Sequence, residues 1–243
     1  GLGFALFRGH GLLQVLEPKS PEVLAERAAV IGHDLGLPAQ RFRSAGWERR
    51  LQETAVAAAA AGERPARGGR WKGLRDGPAV IWFWLRNEPA PLLRSGAGLA
   101  PSRIDPPQVA AGSSMLALDP RGRLLSLAAM PDSSWQGRPL DWRPLFAAAG
   151  LDLTRLQPTA PRALPPAFAD VRAGWTGLHP DDETPIRVDA AAWRGTPVFF
   201  RVAAPWDDGP AAASGEAFAP SARAFGAALS SAVLVLAALA VPL

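Results

Sequence analysis

The pattern of apolar and polar positions predicts a helix near the start of the chain. Ser20 suits the N-cap, Pro21 suits the first helical position, and Gly36 is a typical helix stop. The apolar residues between them fall near helical spacing and form one face: Val23, Leu24, Ala28, Ile31 and Leu35. We expect this face to pack on a sheet.

Further patterns complete the first half. Residues 47–61 are rich in helix-forming residues around Leu51 and Val56, which predicts a second helix, and a Gly- and Arg-rich stretch near 55–76 is expected to be a flexible insert. The unbroken apolar run at 79–85 favours a strand buried on both faces. Residues 113–118 and 123–130 flank Asp-Pro-Arg-Gly, which predicts a hairpin closed by a type I turn.

The same order of elements recurs in the second half. A helix is predicted at 141–150, with Asp141 at its start and Gly150 at its end. Strands are predicted at 168–176, 184–192 and 196–204, the last two joined by a tight turn. We therefore predict an α+β fold of two tandem α-β-β-β units with antiparallel sheets, covering residues 17–131 and 132–206.

Both ends of the chain suggest a membrane. Residues 224–241 carry no charge, and about 18 residues at roughly 1.5 Å each nearly span the hydrocarbon core. We expect a truncated transmembrane helix at 224–243 behind a linker at 207–223, with a buried globular helix as the alternative. Residues 1–16 are either the tail of another membrane helix or a lead-in strand.

Composition excludes several functions. The net charge of +4 comes almost entirely from arginines spread along the chain, so we expect no nucleic-acid partner. The absence of cysteine excludes disulfides, thiolate metal sites and cysteine nucleophiles.

No motif indicates catalysis. The three histidines, His10, His33 and His179, lack ligand spacing, and no phosphate loop, nucleophile elbow or kinase motif occurs. We therefore expect no catalytic residue, metal or cofactor in this chain. The enzymatic alternative is a hydrolase that uses the polar residues of the second half: Asp170, His179, Asp181 or Asp182.

Eight of the nine tryptophans fall into two groups. Those in apolar strand patterns are expected to pack in the core or on a sheet face: Trp82, Trp84, Trp175 and Trp193. Those in loop or edge positions are the candidates for contact with a ligand or partner: Trp47, Trp71, Trp135 and Trp206.

Several stretches resemble one family of proteins. They are DWRPLFAAAGLD at 141–152, PPAFADVRAGW at 165–175, IRVDAAAWRGTPV at 186–198 and PW at 205–206, with KSPEVLAERA at 19–28, FWLRNEP at 83–89 and LDPRGRL at 118–124. This chain is similar there to membrane-anchored serine/threonine protein kinases of the acidobacterial type. The resemblance covers most of residues 17–206, and the insert near 55–75 departs from it.

The resemblance implies a function for the chain. In those proteins a cytoplasmic, ATP-using kinase domain precedes a membrane helix and a region like this one. The chain is therefore expected to be a non-catalytic sensor region at the cell membrane, with its soluble part extracytoplasmic or periplasmic. Its expected partners are the membrane, an unidentified ligand or protein, and a second copy in a homodimer. The alternative is a membrane-tethered structural or protein-interaction domain without a kinase.

Overall fold

Two α-helices and eight strands make up the part of the chain that the computed structural model describes, residues 18–49, 81–91, 103, 107–181 and 183–203. The first half contains helix α1 (Pro21–Asp34) and strands β1 (Phe42–Arg49), β2 (Ile81–Glu88), β3 (Ser114–Leu118) and β4 (Leu124–Ala129). The second half contains helix α2 (Arg143–Ala149), a 3-10 turn (Leu153–Arg155) and strands β5 (Gln157–Thr159), β6 (Val171–Leu178), β7 (Pro185–Trp193) and β8 (Thr196–Ala203).

All eight strands join in one antiparallel sheet, in the order β1-β2-β3-β4-β8-β7-β6-β5. The halves meet where β4 pairs with β8, and Ser126 lies opposite Arg201 at that junction. The strands thus form a single sheet rather than the two sheets predicted. Joining the last strand of each half removes two edges that separate sheets would expose.

Helix α1 matches its prediction closely. The Ser20 hydroxyl accepts a hydrogen bond from the Val23 amide at 3.4 Å, and Gly36 has a φ of +76° just after the helix. Four of the five predicted apolar-face residues are buried, whereas Val23 is 47% exposed. Val23 was therefore wrongly assigned to the packed face.

The core lies between the two helices and one face of the sheet, called here the helix face. Side chains that share one row across this face come from successive strands: Leu85, Leu116, Leu127, Phe200 and Ala190. They belong to the same buried cluster as Leu24 of α1 and Phe146 of α2. Burial of this row in both halves unites them in one core.

Strand β1 replaces part of a predicted helix. Residues 47–49 lie in β1, while the rest of the predicted helix 47–61 lies outside the described residues. Trp47 packs edge-on to Phe83 with ring centroids 5.5 Å apart. Gly46 lies under the Trp84 indole, where a Cβ would approach the ring to 2.8 Å. Such cross-strand packing outweighs helix propensity.

The remaining predicted elements fall within a few residues of their predicted positions. Strand β2 is buried along nearly its whole length, as the apolar run predicted. The hairpin of β3 and β4 forms, with Gly122 at a φ of +89° and its amide bound to the Asp119 carbonyl at 2.9 Å. Helix α2 ends at Gly150. The prediction missed β5, three residues within the expected connector.

Some predictions fall outside the described residues: the membrane segments 1–16 and 224–243, the insert 55–76, the linker 207–223, Trp71 and Trp206. Neither of the two described helices has the length and apolar character needed to cross a membrane.

Candidate functional site

The structure describes the surroundings of two of the four tryptophans selected for partner contact, Trp47 and Trp135. Trp47 is half-buried and packs against the main core, so it supports the fold. Trp71 and Trp206 lie outside the described residues. Trp135 lies in the segment between β4 and α2 and is half-buried, and it packs against both the main core and a second, small apolar cluster.

Trp135 forms a pair with Trp193. Their ring centroids are 6.3 Å apart with the planes inclined at 55°. Both rings pack against a small apolar cluster that contains Ala191, Val198 and Phe199. Trp193 was predicted to pack in the core or on a sheet face, and it is half-buried at the end of β7.

Arg194 sits beside this pair in a strained turn. Arg194 has a φ of +50° and Gly195 a φ of +77°, the left-handed pair typical of a type I′ hairpin between β7 and β8. The guanidinium carbon lies 4.5 Å from the centroid of the Trp193 ring. The Arg194 amide donates to an Asp170 carboxylate oxygen at 2.8 Å, which fixes the turn.

Exposed apolar side chains lie next to the tryptophans. Leu164 is 66% exposed and Phe168 is 73% exposed. Their chain neighbours Ala163 and Ala169 pack on the same small cluster as Trp135 and Trp193. We call Trp135, Leu164, Phe168, Trp193 and Arg194 the tryptophan patch. Exposed apolar side chains grouped in this way are typical of an interaction site.

The tryptophan patch lies at the opposite end of the sheet from the ends of the described chain. The Lys19 amide donates to the Pro120 carbonyl at 3.0 Å, so the chain enters at the β3–β4 turn. Ala203, at the end of β8, pairs with Arg187 at the start of β7 and lies at that same end. Strand β8 is eight residues long and separates this end from the patch by about 25 Å at roughly 3.3 Å per residue.

A polar cluster is buried on the sheet face opposite the helices. Asp189 accepts hydrogen bonds from Arg187 Nε at 3.2 Å and from the Arg162 amide at 2.9 Å. A row of paired positions runs across this face from Ser126 through Arg201 to Asp189. Arg187 also donates to the Ala160 carbonyl. The Arg187–Asp189 pair therefore ties the 160–162 backbone to the sheet.

The structure brings two described residues of the hydrolase alternative together, since the Asp181 amide donates to His179 Nδ1 at 3.4 Å, but it does not bring Asp170 to them. Asp170 precedes β6 and His179 follows it, so they lie at opposite ends of an eight-residue strand. Asp181 contacts Arg121 and Arg123 at 3.0 and 2.7 Å. Burial alone would raise the pKa of the Asp181 carboxyl, but Arg123, His179 and Arg121 outweigh burial and lower it. Asp182 lies outside the described residues.

Sequence reasoning found part of the tryptophan patch. Trp135 was selected from its loop position, but Arg194, Leu164 and Phe168 were missed. Arg194 could have been identified from its place in the sequence, because it follows Trp193 and precedes Gly195 in a predicted tight turn. Within the described part of the chain, no group of three or more histidine or carboxylate residues is placed to hold a metal ion.

Comparison with known proteins adds no assignment: no family model, no curated protein and no solved structure matches this chain.

Proposed function

We propose that this chain is a non-catalytic binding region of a membrane-anchored serine/threonine protein kinase, and that its folded part lies outside the cytoplasm. The observation that carries the binding role is the separation of the two ends of the sheet. The described chain begins and finishes at one end, and the tryptophan patch lies at the other. A domain tethered by both termini would present the tryptophan patch away from the membrane. The kinase itself is proposed from the sequence resemblance.

The connection between the halves suggests how binding would be transmitted. Trp135 belongs to the segment that joins the halves, and Arg138 of the same segment donates to the Leu35 carbonyl and to the Gly195 carbonyl. A partner on the tryptophan patch therefore touches the link between α1 and the β7–β8 turn. To transmit a signal, it must bind two arrangements of the halves with different affinity.

The fold also supports an internal duplication, which we include in the proposal. Each half places one helix before four antiparallel strands, and the last strands of the halves pair with each other. This extends the predicted tandem α-β-β-β units by one strand each. A duplicated unit explains why the two halves share a core across the β4–β8 junction.

Cysteine labelling tests the proposed location. The chain has no cysteine, so Gly137→Cys introduces a single thiol at an exposed position with no atom within 4 Å of a Cβ. We expect a membrane-impermeant maleimide to label this variant on intact bacterial cells. Labelling only after lysis would place the domain in the cytoplasm and overturn the proposal. A cytoplasmic protein with an exposed cysteine controls for leakage.

A second function, self-association without a kinase, is favoured by strand β1. This eight-residue strand stands at one edge of the described sheet, and edge strands pair readily with other chains. Light scattering on the purified 243-residue chain in detergent tests it. A dimer weakened by Ala45→Pro would support this function, because proline removes an amide and disfavours strand pairing. A monomer would exclude it.

A further inference from the structure

We infer that the tryptophan patch binds a protein segment in which apolar side chains are flanked by aspartate or glutamate; this rests on the binding role proposed above. Two exposed arginines, Arg172 and Arg194, lie at this surface. Arg172 Nη2 donates to the Ala163 carbonyl at 2.8 Å. Arg194 lies over Trp193 and donates to the Trp135 carbonyl at 3.5 Å. Within the described chain, neither guanidinium contacts a carboxylate.

Each arginine contacts a residue of the tryptophan patch or its chain neighbour. The bond to Ala163 places the Arg172 guanidinium beside Leu164, which directly follows Ala163. Arg194 lies next to Trp193. Asp170 is a carboxylate at this surface, and its contact is with the Arg194 main-chain amide. The surface therefore combines exposed Leu164 and Phe168 with two guanidinium groups.

Such a surface complements one kind of partner. Apolar side chains of the partner would cover Leu164 and Phe168, and that burial would supply most of the affinity. Carboxylates on either side would pair with Arg172 and Arg194 and fix the orientation of the segment. A partly buried carboxylate–guanidinium pair is also shielded from water by the apolar contacts around it, which strengthens it.

Two other ligand classes fit less well. A sugar needs an open indole face, but the Trp135 and Trp193 rings pack against each other and Arg194 covers Trp193. A lipid surface would also suit arginine beside apolar side chains. The patch, however, lies at the end of the sheet opposite Lys19 and Ala203, so a domain tethered by its termini holds it away from its own membrane.

Selection from a library of random dodecapeptides tests the inference. The 243-residue chain is held in phosphatidylcholine nanodiscs, and empty nanodiscs remove peptides that bind lipid. We expect the selected peptides to combine Leu, Phe or Trp with Asp or Glu. The double variant Arg172→Gln with Arg194→Gln should weaken their binding at least about tenfold and flatten its salt dependence. Phe168→Ser should weaken it comparably, and Arg155→Gln, which changes an exposed arginine of the 3-10 turn, should leave it unchanged.

The binding experiments test the chemistry of the partner and do not depend on where the domain lies relative to the membrane. Selected peptides that lack acidic residues, or that bind the double variant as well as the wild type, would overturn the inference. Competition by phosphatidylglycerol vesicles that depends on Arg172 and Arg194 would overturn it in favour of a membrane surface. Each variant is first compared with the wild type by urea unfolding, so that loss of binding is not mistaken for loss of fold. The cysteine-labelling result at residue 137 stands independently of all these outcomes.

Discussion

Arg123 Nη1 donates a hydrogen bond of 2.7 Å to Asp181 and thereby joins the two halves of the molecule at the end of the sheet where the chain enters. The same guanidinium donates from Nε to Asp119 at 2.6 Å, within its own hairpin. Burial would lower the pKa of Arg123, but Asp119 and Asp181 outweigh burial and raise it. At the opposite end Arg138 joins α1 to the β7–β8 turn. Arginine side chains thus fasten the halves at both ends.

Replacing Arg123 should destabilise the fold. Arg123→Gln removes ion pairs to Asp119 and Asp181, and the nearly buried Asp119 loses its guanidinium partner. We expect a loss of roughly 1–3 kcal/mol in the free energy of unfolding, measured by urea titration followed by tryptophan fluorescence. The matched control is Arg143→Gln, which breaks an exposed pair with Asp141 and should cost less than about 0.5 kcal/mol. Equal losses for the two variants would contradict the bridging role.

Asp181 should make stability depend on acid pH. Its folded pKa is lowered below the ordinary value of 3.8, so its contribution is present above that value and disappears as the pH falls through the folded pKa. Asp181→Asn should therefore destabilise the chain by roughly 1 kcal/mol at pH 7, and the gap to wild type should close as the pH falls below 3.8 and through the lowered folded pKa. Urea titrations across this pH range measure the gap. A gap that widens in acid would contradict this assignment, and Asp34→Asn, at an exposed site, should follow wild type.

Gly195 should tolerate no side chain. A Cβ at this position would lie 1.8 Å from the Arg138 carbonyl oxygen, and the residue has a φ of +77°. Gly195→Ala should cost at least about 2 kcal/mol of unfolding free energy, because the left-handed backbone and the collision both oppose it. Gly137→Ala is the control, since no atom lies within 4 Å of its Cβ. Thermal and urea unfolding compare the two, and near-equal midpoints would contradict the contact.

The buried pair of Arg187 and Asp189 should show strong coupling. Their side chains are only 9% and 6% exposed, so removing one partner leaves the other charge buried and unpaired. Arg187→Met and Asp189→Leu should each cost roughly 3–5 kcal/mol, and the double variant should cost less than their sum by at least about 1 kcal/mol. A double-mutant cycle in urea measures the coupling. Additive losses would show that the two charges do not depend on each other.

Local patterns predicted most of the elements but not their assembly. The N-cap of Ser20, the apolar run of β2 and the glycine stops of both helices are local signals, and each predicted element formed. Strand β1 was not predicted, and its last three residues were assigned to a helix, because its stability comes from cross-strand contacts of Gly46 and Trp47 with β2. The pairing of Ser126 with Arg201 joins distant parts of the chain, and no local pattern encodes it.

The candidate site, too, was only partly predictable from local sequence patterns. Trp135 was identifiable from its loop position, but its pairing with Trp193 depends on the β7–β8 turn reaching the segment that joins the halves. Phe168 was assigned to the start of a strand, whereas the strand begins at Val171. Its exposure therefore became visible only in the folded chain.

Reading the coding sequence in frame on both sides of this chain tests directly whether it belongs to a kinase. We predict a protein-kinase domain upstream of Gly1, with a Gly-rich loop, a strand lysine and a His-Arg-Asp catalytic loop, and further apolar spans beyond Leu243. That result would make the tryptophan patch the input surface of a receptor kinase. A start codon and signal peptide directly upstream, with no catalytic domain on either side, would contradict the kinase assignment and leave a membrane-tethered binding domain.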